Sequence, residues 1–309
     1  MNLITILGPT ASGKTSFAAH LSKELKTEII SADSRQVYKG MDLGTGKDLE
    51  DYIVDGQEVK YHLIDILPAG EKYNVFRYQR DFFEVFSILR QSGKVPILCG
   101  GTGLYLESVI RNYQLVDVPA NPKLREELEK FSLEELKVML SKMKTLHNDT
   151  DTDTKKRAIR GIEIETFIKE NPKIIPNYPK INSLVFGIKN KREIEREKIK
   201  IRLEERLKNG MVEEIETLIK NGVSAEDLIY YGLEYKYVTL YVIGKLTFEE
   251  MKEKLYIEIC QFAKRQMTWF RRMERTGENI LWIDASLNMQ KKIDFALEMI
   301  HRKENSQPQ

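Results

Sequence analysis

Eight residues near the N-terminus carry the sharpest chemical signal. Gly8-Pro9-Thr10-Ala11-Ser12-Gly13-Lys14-Thr15 matches the pattern G-x-x-x-x-G-K-[ST]. A short apolar run, Leu3–Leu7, enters it, and Phe17, Leu21 and Leu25 follow at the four-residue spacing of a helix face. In a strand–loop–helix of this kind, the loop amides and the helix N-terminus form a nest for phosphate oxygens. Lys14 adds a fixed cation, and the Thr15 hydroxyl can hold Mg²⁺. The pattern specifies phosphate without saying which phosphate.

Three further polar groups fall at the ends of strand-like segments, where ligands lie in a parallel sheet. Asp33 follows the second such segment, within Asp33-Ser34-Arg35-Gln36-Val37-Tyr38. Asp65 closes the third, and Thr102 follows the fourth in Gly100-Gly101-Thr102-Gly103. Each has a plainer reading. An Asp after a strand is commonly a cap or turn residue, and paired glycines make tight turns. Asp65 fits a metal contact and a turn carboxylate equally well.

Cations concentrate in two places. Lys264-Arg265-Gln266-Met267-Thr268-Trp269-Phe270-Arg271-Arg272 holds four cations and two large aromatics with no acid. Lys155-Lys156-Arg157-Ala158-Ile159-Arg160 holds four cations in six residues. Such runs are usually solvated helix faces, but with interleaved rings they also suit RNA backbone and base contacts. Met267 and Phe270 are expected to face the core, leaving Lys264, Arg265, Arg271 and Arg272 for a ligand. The tyrosine-rich stretch from Tyr230 to Tyr237 reads as packing.

The elements that must position these groups alternate strand and helix over the first hundred residues. Strands are expected at Leu3–Leu7, 28–31, 61–66 and 95–99, with a helix at Val75–Gln91. This alternation implies parallel βαβ units. From Pro119 the pattern is helical. Asn121-Pro122 opens one helix, Ser132 and Glu135 form a capping box for another, 149–154 is a polar break, and Lys155–Glu170 is a third helix. A strand at 183–188 then resumes the sheet, so 114–180 reads as an all-helical insertion in a core of 1–113 and 181–309. The remainder reads as helical: 194–209, Met211–Lys220, and a long helix opened by Thr247 with Glu250.

Composition bounds the rest. Charge is nearly balanced, 49 basic residues against 47 acidic, which excludes a histone-like or acidic disordered chain. Two cysteines, Cys99 and Cys260, have no metal-ligand spacing. No apolar run is long enough to span a bilayer, and the N-terminus has no basic leader region, so a soluble cytoplasmic protein is expected.

In order and spacing, Gly8–Thr15, Asp33–Tyr38, Tyr61-His62-Leu63-Ile64-Asp65, Gly100–Tyr105 and residues 264–271 resemble the tRNA dimethylallyltransferases, also called tRNA isopentenyltransferases. The resemblance spans nearly the whole chain. It implies an α/β fold: a P-loop NTPase-like parallel sheet flanked by helices, with a helical insertion contacting tRNA. It also implies a prenyltransferase that moves the dimethylallyl group of dimethylallyl diphosphate to the exocyclic amine of the adenosine 3′ of certain anticodons.

Carried over by position, Gly8, Pro9, Thr10, Ala11, Ser12, Gly13, Lys14, Thr15 and Arg202 would bind the diphosphate, with Thr15 on Mg²⁺. Asp33 would be the general base, with Thr102 and Lys14 also at the reacting groups. The anticodon stem-loop would be met by Asp33, Ser34, Arg35, Gln36 and Thr102, by Lys156, Arg157 and Arg160, and by Lys264, Arg265, Gln266, Trp269 and Arg271. A monomer is expected. One departure is Tyr231-Gly232-Leu233-Glu234-Tyr235, which replaces the Gly-Tyr pair of many members.

Two other enzymes share parts of the pattern: a P-loop kinase of a small metabolite, and an isopentenyltransferase of free adenine nucleotide. Neither needs two separate cationic helices, which favours tRNA as acceptor.

Overall fold

A computed structural model describes residues 1–143, 152–172 and 176–305. It divides into two compact units, Met1–Asn112 with Lys180–Gln309, and Tyr113–Pro179.

The first unit is built on a six-stranded sheet. Its strands are β1 (Leu3–Leu7), β2 (Ile29–Ser31), β3 (Tyr61–His62), β4 (Ile97–Gly100), β5 (Ser183–Lys189) and β6 (Ile280–Asp284). They lie in the order β6-β5-β1-β4-β2-β3, and every pairing is parallel. All five residues of β1 are buried, as a strand covered on both faces requires. Helices α1 (Lys14–Glu24), α2 (Val75–Gln91) and α3 (Gly103–Ile110) follow the strands. The carboxyl ends of β1, β2 and β4 therefore present residues 8–13, 33–36 and 101–102 along one edge.

Two expectations for this sheet need correction. The third strand pairs only over Tyr61–His62, because Leu63 and Asp65 have φ of 61° and 56°, which breaks the ladder expected to run to residue 66. The segment after the long helix is not helical: Ile280–Asp284 forms the sheet edge beside β5. Its apolar run Ile-Leu-Trp-Ile was the available signal.

Helices α7 (Arg192–Lys208), α8 (Met211–Lys220), α9 (Ala225–Tyr231), α10 (Leu233–Val242) and α11 (Phe248–Arg275) enclose a second core. It includes Val37, Tyr38, Met41, Leu203, Tyr231 and Tyr235. Thr247 and Glu250 form the capping box expected at the start of α11. The buried stripe of α11 runs Met251, Leu255, Ile259, Ala263, Gln266, Phe270 and Met273. Gln266 is the polar member of that stripe, and a buried carboxamide must find hydrogen-bond partners.

In the second unit, α4 (Pro122–Leu128), α5 (Leu133–Met143) and α6 (Lys155–Glu170) pack through Leu128, Leu136, Leu140, Ala158, Ile159 and Ile162. Ser132 and Glu135 cap reciprocally as expected. Residues 149–151 of the expected polar break lie outside the described residues. Glu163, with its side chain 1% exposed, accepts from Arg125 at 2.7 and 2.9 Å, from the Asn121 amide at 2.6 Å and from Arg160. Burial opposes its ionisation, but these donors outweigh burial and bring the carboxyl down to about 2.

A depressed carboxyl stabilises above its unfolded value and loses that contribution as pH falls through its folded value. Glu163 should therefore contribute up to ~3 kcal/mol at neutral pH, lost between about pH 4.5 and about pH 2. Thermal melts of wild type and Glu163→Gln should differ at pH 7 and converge at low pH. Equal melting at pH 7 would remove the ion cluster from the stability of this unit.

Candidate active site

The loop after β1 is shaped by close approach. A Cβ on Gly8 would lie 2.6 Å from the Ile188 carbonyl oxygen and 2.8 Å from Ser12 Oγ, so no side chain fits there. Ala11 and Gly13 have φ of 58° and 79°, and Gly13 caps α1. Ser12 Oγ is buried with no hydrogen-bond partner among the described residues. An orphaned hydroxyl beside free helix-end amides is what an anion would satisfy. Burial lowers the pKa of the Lys14 ammonium, which donates to the Pro9 carbonyl at 3.4 Å.

The loop after β2 turns on Asp33. Its Oδ1 accepts from the amides of Arg35 at 2.8 Å and Gln36 at 3.3 Å. The turn role is thus real, but it occupies one carboxylate oxygen. Thr102 Oγ1 accepts from the Ser34 amide at 3.1 Å, and the Thr102 amide donates to Ala32 O at 3.2 Å, so the loops after β2 and β4 are stitched together.

These groups share one cavity of about 670 Å³. Thr10, Ala11, Ser12, Gly13, Lys14, Thr15, Asp33, Ser34, Arg35, Gln36, Thr102, Arg202, Arg265 and Gln266 all line it. Gly8 and Pro9 build the loop without reaching the cavity. Lys264 and Arg271 are exposed elsewhere on α11, and Trp269 presses on Gly103, where a Cβ would come within 2.4 Å of the indole. Asp65 is drawn away: it pairs with the buried Lys47 ammonium and does not line the cavity.

The cationic runs are less free than their composition suggested. Arg272, expected to await a ligand, pairs with buried Glu107 and lies 4.3 Å over the Trp269 ring. In the second unit, Arg157 pairs with Asp153 at 2.5 Å. Arg160 pairs with Glu163 and donates to Val118 O at 2.8 Å, while Lys156 is exposed.

Sequence reasoning missed several groups: Asp48 and Glu234, which line the cavity, and Arg206, which does not line it but holds Asp48. Arg206 donates to both carboxylate oxygens of Asp48, at 2.9 and 3.1 Å. Burial would raise Asp48, but Arg206 and Arg202 outweigh it and hold the carboxyl below its usual range. Burial raises Glu234 despite the same two arginines. Arg202, one turn from Arg206, makes no hydrogen bond or salt bridge among the described residues. A Cβ on Gly46 would lie 2.2 Å from its guanidinium. The i, i+4 arginine pair was the legible signal for this anion-ready wall.

Gln266 joins two of the loops. Its Oε1 accepts from the Thr10 amide at 2.9 Å and its Nε2 donates to the Gly101 carbonyl at 2.9 Å. The carboxamide assigned to RNA is thus committed to protein.

Among the described residues, no group of three or more His, Cys, Asp or Glu could cage a metal ion. Mg²⁺, however, binds through few protein oxygens plus substrate phosphates. The Thr15 hydroxyl, on the cavity wall and without a hydrogen bond to another described residue, fits that pattern.

Comparison with known proteins follows the same line. The family model described as IPP transferase matches residues 36–273, and that described as isopentenyl transferase matches residues 1–62. The chain is 60% identical over 299 residues to tRNA dimethylallyltransferase 2 of Bacteroides fragilis, covering 97% of this chain and 98% of the relative. It is 59% identical to tRNA dimethylallyltransferase 2 of Phocaeicola vulgatus over 98% of each chain.

Among solved structures, the tRNA isopentenylpyrophosphate transferase of Bacillus halodurans aligns with a TM-score of 0.71 at 32% identity. That alignment covers 98% of this chain and 96% of the other. A eukaryotic dimethylallyltransferase acting on tRNA shares the fold at a TM-score of 0.77 and 22% identity, over 97% of this chain and 79% of its own.

Proposed function

The chain belongs to the IPP transferase family and is a tRNA dimethylallyltransferase, and we propose that dimethylallyl diphosphate is its donor and the adenosine 3′ of the anticodon its acceptor. The observation that supports this pairing most is the single cavity holding the phosphate loop, Arg202, Asp33 and Thr102. Among the described residues, no helix is long and apolar enough to cross a membrane.

In the proposed reaction the exocyclic nitrogen of adenine attacks C1 of the donor. The new C–N bond forms as the C1–O bond breaks, and the bonding pair leaves with diphosphate. That nitrogen is a poor nucleophile because its lone pair is delocalised into the ring. Asp33 accepts its proton as the bond forms, which keeps the nitrogen from carrying positive charge. The amides of residues 10–15, the Lys14 ammonium and the Arg202 guanidinium face the charge growing on the leaving group. Mg²⁺, held by Thr15 and the donor's own oxygens, would add charge neutralisation there. Thr102, tied to Ser34, holds the adenine beside Asp33.

We assign tRNA contact to Ser34, Arg35 and Gln36 at the cavity and to exposed Lys156, Lys264, Arg265 and Arg271. Incubating the purified chain with labelled dimethylallyl diphosphate, Mg²⁺ and either total tRNA or AMP tests the reading. Label should enter tRNA; label entering AMP at comparable rates would overturn it.

Gln266 acts in this scheme as a positioning residue. Gln266→Met keeps the side-chain length and loses both hydrogen bonds, so the two loops should drift apart. Turnover at saturation should fall ~10–10²-fold, the scale of a small misalignment, with tRNA affinity within a few-fold of wild type. Weakened tRNA binding at unchanged turnover would instead make Gln266 an RNA contact.

A further inference from the structure

The loop from Asp42 to Lys47 gives Gly44, Thr45 and Gly46 to the cavity wall. It is neither strand nor helix, so its amides need partners from elsewhere in the fold. One side chain supplies most of them. Glu214, on α8 and outside the cavity, accepts from three consecutive amides. Its Oε2 takes Asp42 at 2.9 Å and Leu43 at 2.7 Å, and its Oε1 takes Gly44 at 3.2 Å. That Oε1 also accepts from the Tyr235 hydroxyl at 2.6 Å. Burial, and then the carboxylate beside it, raise the Tyr235 hydroxyl well above its ordinary range, so it stays a donor. Gly44 lies against the same ring, where a Cβ would come within 2.6 Å of two carbons. From the other side, the buried Lys47 ammonium donates to Tyr38 O at 2.9 Å and to Asp42 Oδ1 at 2.7 Å.

What the loop touches next gives this clamp a consequence for the reaction. Gly46 stands against both arginines of α7: a Cβ there would lie 2.2 Å from Arg202 Nη2 and 2.5 Å from Arg206 Nη2. The Gly46 carbonyl accepts from Gln36 Nε2 at 3.0 Å, and the Gln36 amide donates to Asp33 Oδ1 at 3.3 Å. Arg206 is held by Asp48, whereas Arg202 has no hydrogen bond or salt bridge among the described residues. Packing against Gly46 therefore helps set where the Arg202 guanidinium stands. One short loop abuts both the arginine that faces the leaving group and the turn that carries the base.

We propose that Glu214 is a positioning residue for prenyl transfer. By gathering the amides of residues 42–44 it fixes Gly46, and through Gly46 it fixes the Arg202 guanidinium and the Asp33 turn. The proposal rests on the donor and acceptor assigned above and adds a residue that touches neither. A carboxylate suits the task because each oxygen takes two donors, and its charge strengthens every bond. A carboxamide of the same length would turn an N–H towards one of the amides and leave that amide unpaired.

The test is steady-state and single-turnover transfer to tRNA by wild type, Glu214→Gln and Glu214→Ala. Rates are expressed per folded molecule, with the folded fraction read from melting curves. A purely structural loss lowers the melting temperature but leaves the constants of each folded molecule unchanged. Displacing Arg202 should instead raise the KM for dimethylallyl diphosphate about tenfold in Glu214→Ala, the scale of one lost charged hydrogen bond. The single-turnover rate should fall ~10–10²-fold as the Asp33 turn shifts. Glu214→Gln should recover most of both, with KM about threefold above wild type, because two of the three amides keep an acceptor. Directly measured tRNA affinity should stay within a few-fold, since the cations of α6 and α11 are untouched. Wild-type constants per folded molecule in Glu214→Ala, or in Glu214→Gln where Glu214→Ala does not fold, would overturn the positioning role alone. A wild type that binds tRNA but transfers nothing from dimethylallyl diphosphate would overturn the donor reading and this role with it.

Discussion

Asp33→Asn should cut prenyl transfer to tRNA by ~10²–10⁴-fold while leaving tRNA binding within a few-fold of wild type. Asparagine keeps the Oδ1 acceptor that holds the turn through the Arg35 and Gln36 amides, so the loop after β2 should survive the change. What disappears is the capacity to take a proton from the adenine nitrogen. Alanine would confound the two effects by releasing the turn, and its tRNA affinity should fall along with its rate. Single-turnover kinetics on preformed enzyme–tRNA complex separates these cases. A rate for Asp33→Asn within a few-fold of wild type would show that solvent or another group receives the proton.

Lys14→Ala should cost ~10²–10³-fold in the chemical step, the usual consequence of removing one donor aimed at developing negative charge. Its effect should persist at saturating donor, because the ammonium meets a leaving group whose charge grows towards the transition state. The pH dependence provides an internal check. Burial lowers the Lys14 pKa, so the wild-type rate should decline with rising pH earlier than an ordinary lysine would dictate. Lys14→Arg should remove that alkaline limb even where its absolute rate is lower. Undiminished single-turnover rates in Lys14→Ala would place the ammonium away from the leaving group.

What could be read from the sequence was what neighbours along the chain decide. The loop from Gly8 to Thr15, helices α2, α6 and α8, and the capping boxes at Ser132 and Thr247 depend on residues within one or two turns, and they stand where expected. Strand β6 is a sheet edge only because β5 lies beside it, and the early end of β3 depends on the positive φ of Leu63 and Asp65. The apolar run of β6 hints at a strand, but neither its partner nor those φ values can be read from local composition.

The same division holds in and around the cavity. Lys14, Asp33 and Thr102 are flagged by the strands that precede them. Arg206 and Asp48 are 158 positions apart, and neither has meaning until they meet. Counting cations overstated the available charge: Arg160 holds Glu163, one turn along its own helix and just outside the run, and Arg272 holds Glu107 from a distant part of the sequence. Packing, the plain reading of the tyrosines from Tyr230 to Tyr237, describes Tyr231 and Tyr235 but not exposed Tyr230.

One carboxamide, from Gln266, spans the Thr10 amide and the Gly101 carbonyl. The span works as a fixed gauge: it sets how far the loop after β1 stands from the loop after β4, and so, in the proposed reaction, how far the diphosphate end of the donor would stand from the base to be alkylated. A scaffold with such a gauge measures its donor from the charged end. Lengthening the prenyl tail leaves C1 where it was and pushes the extra carbons outward. In that scheme donors of different length would differ only beyond C1, away from the two loops that Gln266 joins.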